Sequence, residues 1–136
     1  MYGAAGISGY LFEPSIKKDS ILVTKDGSGV GSLRYVKGPH SFVGTLNSLT
    51  SKEDIYLPYI YYAILNVKFE SYRTGQAIPH IYFKDYGRFS LFCPPQKKQK
   101  ELAYGLELID NKIEVERRVL RTLQSAKVYL LNNLFI

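Results

Sequence analysis

Residues 93–136 read CPPQKKQKELAYGLELIDNKIEVERRVLRTLQSAKVYLLNNLFI, and this stretch decides the architecture. Its two prolines block a helix upstream. Pro95 suits a first helical position, where a missing N–H costs nothing. No further proline and a single glycine follow. Leu102, Leu106, Ile109, Ile113, Leu120, Leu123, Leu130 and Leu134 recur in four/three alternation, which is the seam of a coiled coil. Glu116 and Lys127 occupy two positions of that seam. They either specify register with a partner, at a cost in stability, or mark a solvated kink or a frayed tail. A helix over 96–134 would run roughly 58 Å at 1.5 Å per residue. One small domain cannot cover such a rod along its whole length, so the seam implies another helix.

Upstream of residue 95 the composition turns Tyr/Gly-rich, which separates a domain over 1–95 from a helix over 96–136. Residues 1–18 are Gly-rich, carry no clear period and read as loop. SILVTKDGSGVGSLRYVKG alternates on both sides of a Gly/Asp/Ser cluster, predicting strand, turn, strand near 20–25 and 31–37. HSFVGTLNSLT, 40–50, reads as a further strand running into a loop. In DIYLPYIYYAILN, Leu57, Ile60, Tyr61, Ile64 and Leu65 fall on one helix face, with Pro58 in the first turn. A polar loop follows around 74–80, then a short strand at 88–92.

The chain has 136 residues, 46% hydrophobic and 22% charged, which suits one soluble domain with an appendage. Its net charge of +6 favours a polyanionic partner such as nucleic acid, or an acidic membrane surface. Twelve Tyr and no Trp supply rings for a core or an interface, each with a polar tip. One cysteine, Cys93, excludes a disulfide framework and a cysteine-based metal site, and fits an intracellular, cytoplasmic setting. The N-terminus lacks the pattern of a signal peptide, and no stretch approaches the length of a membrane span. His40 and His80 make no metal spacing with the scattered carboxylates, and no cofactor motif is found. No nucleophile elbow is present, nor the N-P-P-aromatic motif of an adenine methyltransferase.

DGSGVGS, 26–32, is not a phosphate loop, because no Gly-Lys-Ser/Thr ending and no helix follow it. A flexible hairpin tip is the simpler reading. Flanked by Lys25 and Arg34, such a tip can reach a nucleic-acid groove. YRTGQAIPH, 72–80, offers Arg and Gln, side chains that pair bidentately with guanine and adenine in a major groove. The commonplace alternative is a surface loop of ordinary polar residues.

Three stretches, taken in order, carry a family resemblance: YGAAGISGY with ILVTKDGSGVGSLRY, then TGQAIPHIYFKDYGRFSLFCPP, then Pro94-Pro95-x-x-x-Gln99 with Leu102-Ala103-x-x-Leu106-x-x-Ile109-Asp110-x-x-Ile113. Together they resemble one half of a type I restriction-modification specificity subunit. The resemblance implies an α+β fold: a small twisted-sheet target recognition domain with one or two short helices, followed by a long C-terminal coiled-coil helix. It implies no catalytic activity. It implies double-stranded DNA as a partner, one half of a bipartite site being read, and docking of modification (methyltransferase) and restriction subunits. Two such domains are held apart by antiparallel helices in that family. With one unit here, the second helix would come from another chain, and a homodimer through the long helix is expected. Met1 falls directly before the Gly-rich opening, so a lead-in to the domain is expected to be missing. The DNA-reading candidates are Lys25, Ser28, Arg34, Tyr35, Arg73, Gln76 and His80. Two other readings stay open: a coiled-coil adaptor whose charge is incidental, and a truncated remnant that does not bind DNA on its own.

Overall fold

Ser20–Thr24 (β3) is buried at every residue, as befits a strand covered on both faces. In the computed structural model, which describes residues 1–135, it is the central strand of a three-stranded antiparallel sheet. Leu33–Val36 (β4) pairs Ile21 with Tyr35 and Leu22 with Arg34; Leu46–Leu49 (β5) pairs Ile21 with Leu49 and Leu22 with Ser48. Side chains alternate across the sheet. Ile21 and Val23 therefore enter one core with Leu57, Ile64, Phe69, Ile81 and Tyr86. Leu22 joins Val36 and Leu46 on the other face, against Tyr2 and Phe42. Burying each such aliphatic side chain contributes about 1.5–3 kcal/mol.

Leu57–Ile64 (α1) covers the first face, with Pro58 in its first turn as the sequence predicts. Its inward residues are Leu57, Ile60, Tyr61 and Ile64, whereas Leu65 lies past the helix and is half exposed. A 3₁₀ turn, Phe69–Tyr72, and one turn of helix, Phe83–Tyr86 (α2), complete that layer. Tyr86 is fully buried, and its hydroxyl accepts a hydrogen bond from Asn47 Nδ2 at 2.8 Å.

Three expectations are corrected. The first residues are not only loop: Tyr2–Gly3 (β1) and Gly6–Ile7 (β2) form a two-stranded hairpin. It is tied to the domain by Tyr2 N–H donating to Ser41 O at 2.7 Å and Val43 N–H donating to Tyr2 O at 2.9 Å. Residues 40–50 run the other way round, an irregular segment leading into β5. His40 starts that segment buried: its Nδ1 lies 2.8 Å from Gly38 O and its Nε2 lies 2.8 Å from Ser20 Oγ. A carbonyl only accepts, so Nδ1 carries the hydrogen, and in the neutral ring Nε2 accepts from the serine hydroxyl. Residues 88–92 join no ladder. Phe89 and Leu91 do point inward onto the core while Ser90 and Phe92 face out, so the alternation reports extended chain without a neighbouring strand.

Gln96–Leu134 (α3) is one continuous helix. Pro95 precedes it rather than opening it, and its carbonyl accepts the Lys98 and Gln99 N–H groups at 2.8 and 3.1 Å. Gln99, 2% exposed, is the latch of this junction. Its Oε1 accepts the backbone N–H of Tyr56, the N-cap of α1, at 2.9 Å, and its Nε2 donates to Pro94 O at 2.8 Å. The side chain thus satisfies one of the backbone donors left free at the start of α1.

The chain forms two compact units, Met1–Lys100 and Glu101–Ile136. In the second, the eight seam residues from Leu102 to Leu134 are between 41% and 69% exposed. Charged residues pair along the rod, Lys112 with Glu116 one turn on, and Arg121 with Glu114 at 3.0 Å. No described helix is long and apolar enough to cross a membrane.

Candidate functional site

Two turns meet at one end of the sheet. The first, Lys25–Ser32, joins β3 to β4 and is closed by its own hydrogen bonds. Gly31 N–H returns to Thr24 O at 2.8 Å, and Val30 N–H to Gly27 O at 3.1 Å. Val30 packs on the core. Gly31 has φ +87°, and a Cβ there would stand 2.8 Å from Phe69 Cβ, so only glycine fits. The second turn, 74–80, closes on itself. Thr74 and His80 exchange backbone hydrogen bonds of 2.9 Å in both directions, and Gly75 makes the bend at φ +81°.

The turns are bonded to each other. Gly27 N–H donates to Pro79 O and Ile81 N–H donates to Lys25 O, both at 2.9 Å. Their backbones therefore form one surface, on which Ser28, Arg73 and Gln76 are exposed and Lys25 is partly so. Lys25 Nζ lies 3.5 Å from Asp26 Oδ2, a solvated pair worth little that leaves the lysine able to turn to another anion. The His80 ring stands edge-on to Tyr82, centroids 4.7 Å apart, and Lys84 Nζ lies 5.2 Å from the centre of the same Tyr82 ring. Tyr82 and Lys84 are additions that the sequence reading missed. The signal was the aromatic-basic interleaving of HIYFKDY, which extends the polar loop past His80.

Of the seven candidates, the structure brings Lys25, Ser28, Arg73, Gln76 and His80 to these joined turns. It does not bring Arg34 or Tyr35 there. Arg34 stands on the Leu22 face of the sheet, its guanidinium 5.7 Å from the Tyr2 ring centre. Tyr35 lies on the opposite face, half-buried against the core and Tyr61, and its hydroxyl donates to Asp19 Oδ2 at 2.7 Å. Asp19 Oδ1 also accepts Gly38 N–H at 2.8 Å. That amide first, then the Tyr35 hydroxyl, holds the Asp19 carboxyl below the usual carboxylate range. These groups build the β4 end of the sheet. Among the described residues, no group of three or more His, Cys, Asp or Glu side chains is placed to hold a metal ion.

The chain is similar to known proteins over almost all of its length. The family model described as the type I restriction modification DNA specificity domain matches residues 2–125. A curated type I specificity subunit of Mycoplasma genitalium is 25% identical over 140 residues, covering 98% of this chain and 37% of that protein. The crystal structure of the type I restriction-modification S subunit from M. genitalium is alike in fold, with TM-score 0.68 at 22% identity, over 96% of this chain and 37% of that one. The chain thus spans little more than a third of the length of these relatives. Proteins of this family supply DNA sequence recognition to restriction-modification systems and are not themselves catalytic. The family model covers most of the chain, and this chain therefore belongs to the type I restriction modification DNA specificity domain family.

Proposed function

We propose that this chain is a non-catalytic DNA-recognition unit that reads one half of a bipartite duplex site. The turns 25–32 and 73–80 face the DNA. Arg73, Gln76 and His80 reach base edges, Lys25 and Lys84 meet phosphates, and Ser28 serves either. The long helix pairs with another helix and sets the distance to a second reader, and modification and restriction subunits dock on the assembly. The observation that carries this reading is the backbone bonding of the two turns, Gly27 to Pro79 and Ile81 to Lys25. Readers need side chains held within a fraction of an ångström of base edges, and a surface of two mutually braced turns gives that stiffness. The net charge of +6 adds salt-sensitive phosphate affinity.

The test is selection from a random duplex library at two salt concentrations, with the chain alone and with its modification subunit. A sequence enriched in either form, with affinity falling steeply as salt rises, supports the reading. Arg73→Ala then loses roughly 1–3 kcal/mol on the selected sequence and relaxes one position if it reads a base. An equal loss on every duplex makes it a phosphate contact. No enrichment in either form refutes DNA recognition and leaves the adaptor reading, which the exposed seam of α3 favours.

A further inference from the structure

We propose that Ile78 is a specificity-determining residue of the joined turns, its side chain lying against the 5-methyl group of a thymine in the major groove. The inference rests on the DNA-recognition reading above and adds the chemical group that one residue selects.

Ile78 is 70% exposed, and among the described residues neither apolar cluster of the domain takes it in. A lone exposed isoleucine is common on protein surfaces. What sets this one apart is how firmly its backbone is held. Its carbonyl packs on the bend at Gly75, where an added Cβ would stand 2.5 Å from Ile78 O. Pro79 follows it, and a proline confines the residue before it to extended backbone. The Pro79 carbonyl in turn accepts Gly27 N–H at 2.9 Å, and His80 exchanges 2.9 Å backbone bonds with Thr74. Isoleucine is β-branched, so its χ1 is restricted as well. The result is a stiff aliphatic group, standing in solvent, on the surface that also presents Arg73 and Gln76. The other large apolar side chains exposed nearby are engaged: Phe83 meets the Tyr86 ring at 5.4 Å between centroids, and Tyr82 meets His80 at 4.7 Å.

The thymine methyl is the apolar group that base edges offer in the major groove; the other contacts there are hydrogen-bond donors and acceptors. Isoleucine against that methyl removes apolar surface from water on both sides. Set against an amino group or a carbonyl oxygen, the same side chain strips water from a polar group and offers no hydrogen bond. Ile78 thus favours thymine and penalises the other bases at one position. A side chain already fixed does so at little ordering cost, unlike Arg73 and Gln76 with their long flexible stems. Two other uses fit less well. A wedge driven between base steps works from the minor groove. The bidentate pairings open to Arg73 and Gln76 lie in the major groove. A protein partner would need an apolar surround to exclude water, and Arg73, Thr74 and Gln76 are polar and exposed.

The test uses the full chain, in whichever form enriches a sequence from the random library, and duplexes carrying that sequence. Each thymine in turn is replaced by deoxyuridine, which removes only the methyl group, and affinity is read by competition fluorescence anisotropy. At one thymine the parent should lose about three- to fivefold, the size expected for one buried methyl. Ile78→Ala should bind the unmodified sequence more weakly by a similar factor. It should then be indifferent to deoxyuridine at that same position, within about 1.5-fold, because the two losses share one contact and do not add. The scan on the parent needs no variant, so a folding defect in Ile78→Ala does not decide the matter. Three results overturn the proposal: a selected sequence without thymine, a parent that tolerates deoxyuridine everywhere, or an Ile78→Ala loss that adds to the deoxyuridine loss. Each of these leaves DNA recognition standing, because a sequence has been enriched. Enrichment of none removes the recognition reading itself, and this assignment with it.

Discussion

Replacing Gln99 by leucine should loosen the junction between α1 and α3 more than any surface change. Leucine keeps most of the volume and removes both polar ends. The Tyr56 N–H, held at 2.9 Å, and the Pro94 carbonyl, held at 2.8 Å, then lose their partners in a site where Gln99 is 2% exposed. A polar group left unpaired in such a place costs about 1–3 kcal/mol. Two of them, with Tyr56 only partly buried, set the expected loss at roughly 2–4 kcal/mol, a large share of the ~5–15 kcal/mol of a typical domain. With a urea slope of about 1–3 kcal/mol per molar, the midpoint should fall by about 1–2 M. The assay is urea unfolding followed by tyrosine fluorescence or near-ultraviolet dichroism, because α3 alone would dominate the far-ultraviolet signal and the chain has no Trp. Gln99→Glu is the informative companion. It keeps an acceptor for Tyr56 but sets a carboxylate against the Pro94 carbonyl, so it should be as harmful near neutrality and partly recover in acid. A Gln99→Leu midpoint within about 0.3 M of the parent would refute the latch, since that shift is about 0.3–0.9 kcal/mol, less than one buried polar group left unpaired.

Gly75→Ala should open the second turn without unfolding the domain: its φ is +81°, and the new Cβ would stand 2.5 Å from Ile78 O. The expected signs are faster hydrogen exchange at Thr74 and His80 and weaker DNA binding, with an unchanged exchange pattern in β3. Asp19→Asn should flatten the acid limb of the stability curve. The folded carboxyl titrates below its unfolded range near 3.9, so its contribution is present above that range and is lost as pH falls through the lower, folded value. An unchanged acid limb in chemical denaturation at stepped pH would count against the Gly38 and Tyr35 hydrogen bonds.

How far the fold could be read depended on how local its causes are. The long helix was legible to its ends because two prolines and a four/three apolar alternation are local signals, and Gln96–Leu134 carries them. β3 and β4 were legible for the same reason, as alternation on either side of a glycine cluster. The N-terminal hairpin was not. Its two-residue strands are too short to show a period, and bonds from Tyr2 to Ser41 and Val43 hold it. Residues 88–92 misled because alternation reports burial of every second side chain, which Phe89 and Leu91 satisfy without a partner strand. At the candidate site, composition pointed to the loop around Arg73 and Gln76, but its bracing by Gly27 and Lys25 is backbone chemistry with no residue signature. That Tyr35 stands apart from the joined turns was not legible, because a tyrosine on a strand shows its face only once the sheet has a register.

The 74–80 turn separates two tasks that many binding loops combine. Its shape comes from Gly75, from main-chain atoms of Thr74 and His80, and from the Thr74 hydroxyl donating to His80 O at 3.2 Å. The side chains of Arg73, Gln76 and Ile78 carry none of those closing bonds, and all three are exposed. If the turn reads DNA as proposed, substitutions at these positions change what is selected while leaving thermodynamic stability nearly untouched. On that reading a lineage changes its target in single steps, because the closing bonds of the turn do not depend on the residues that vary.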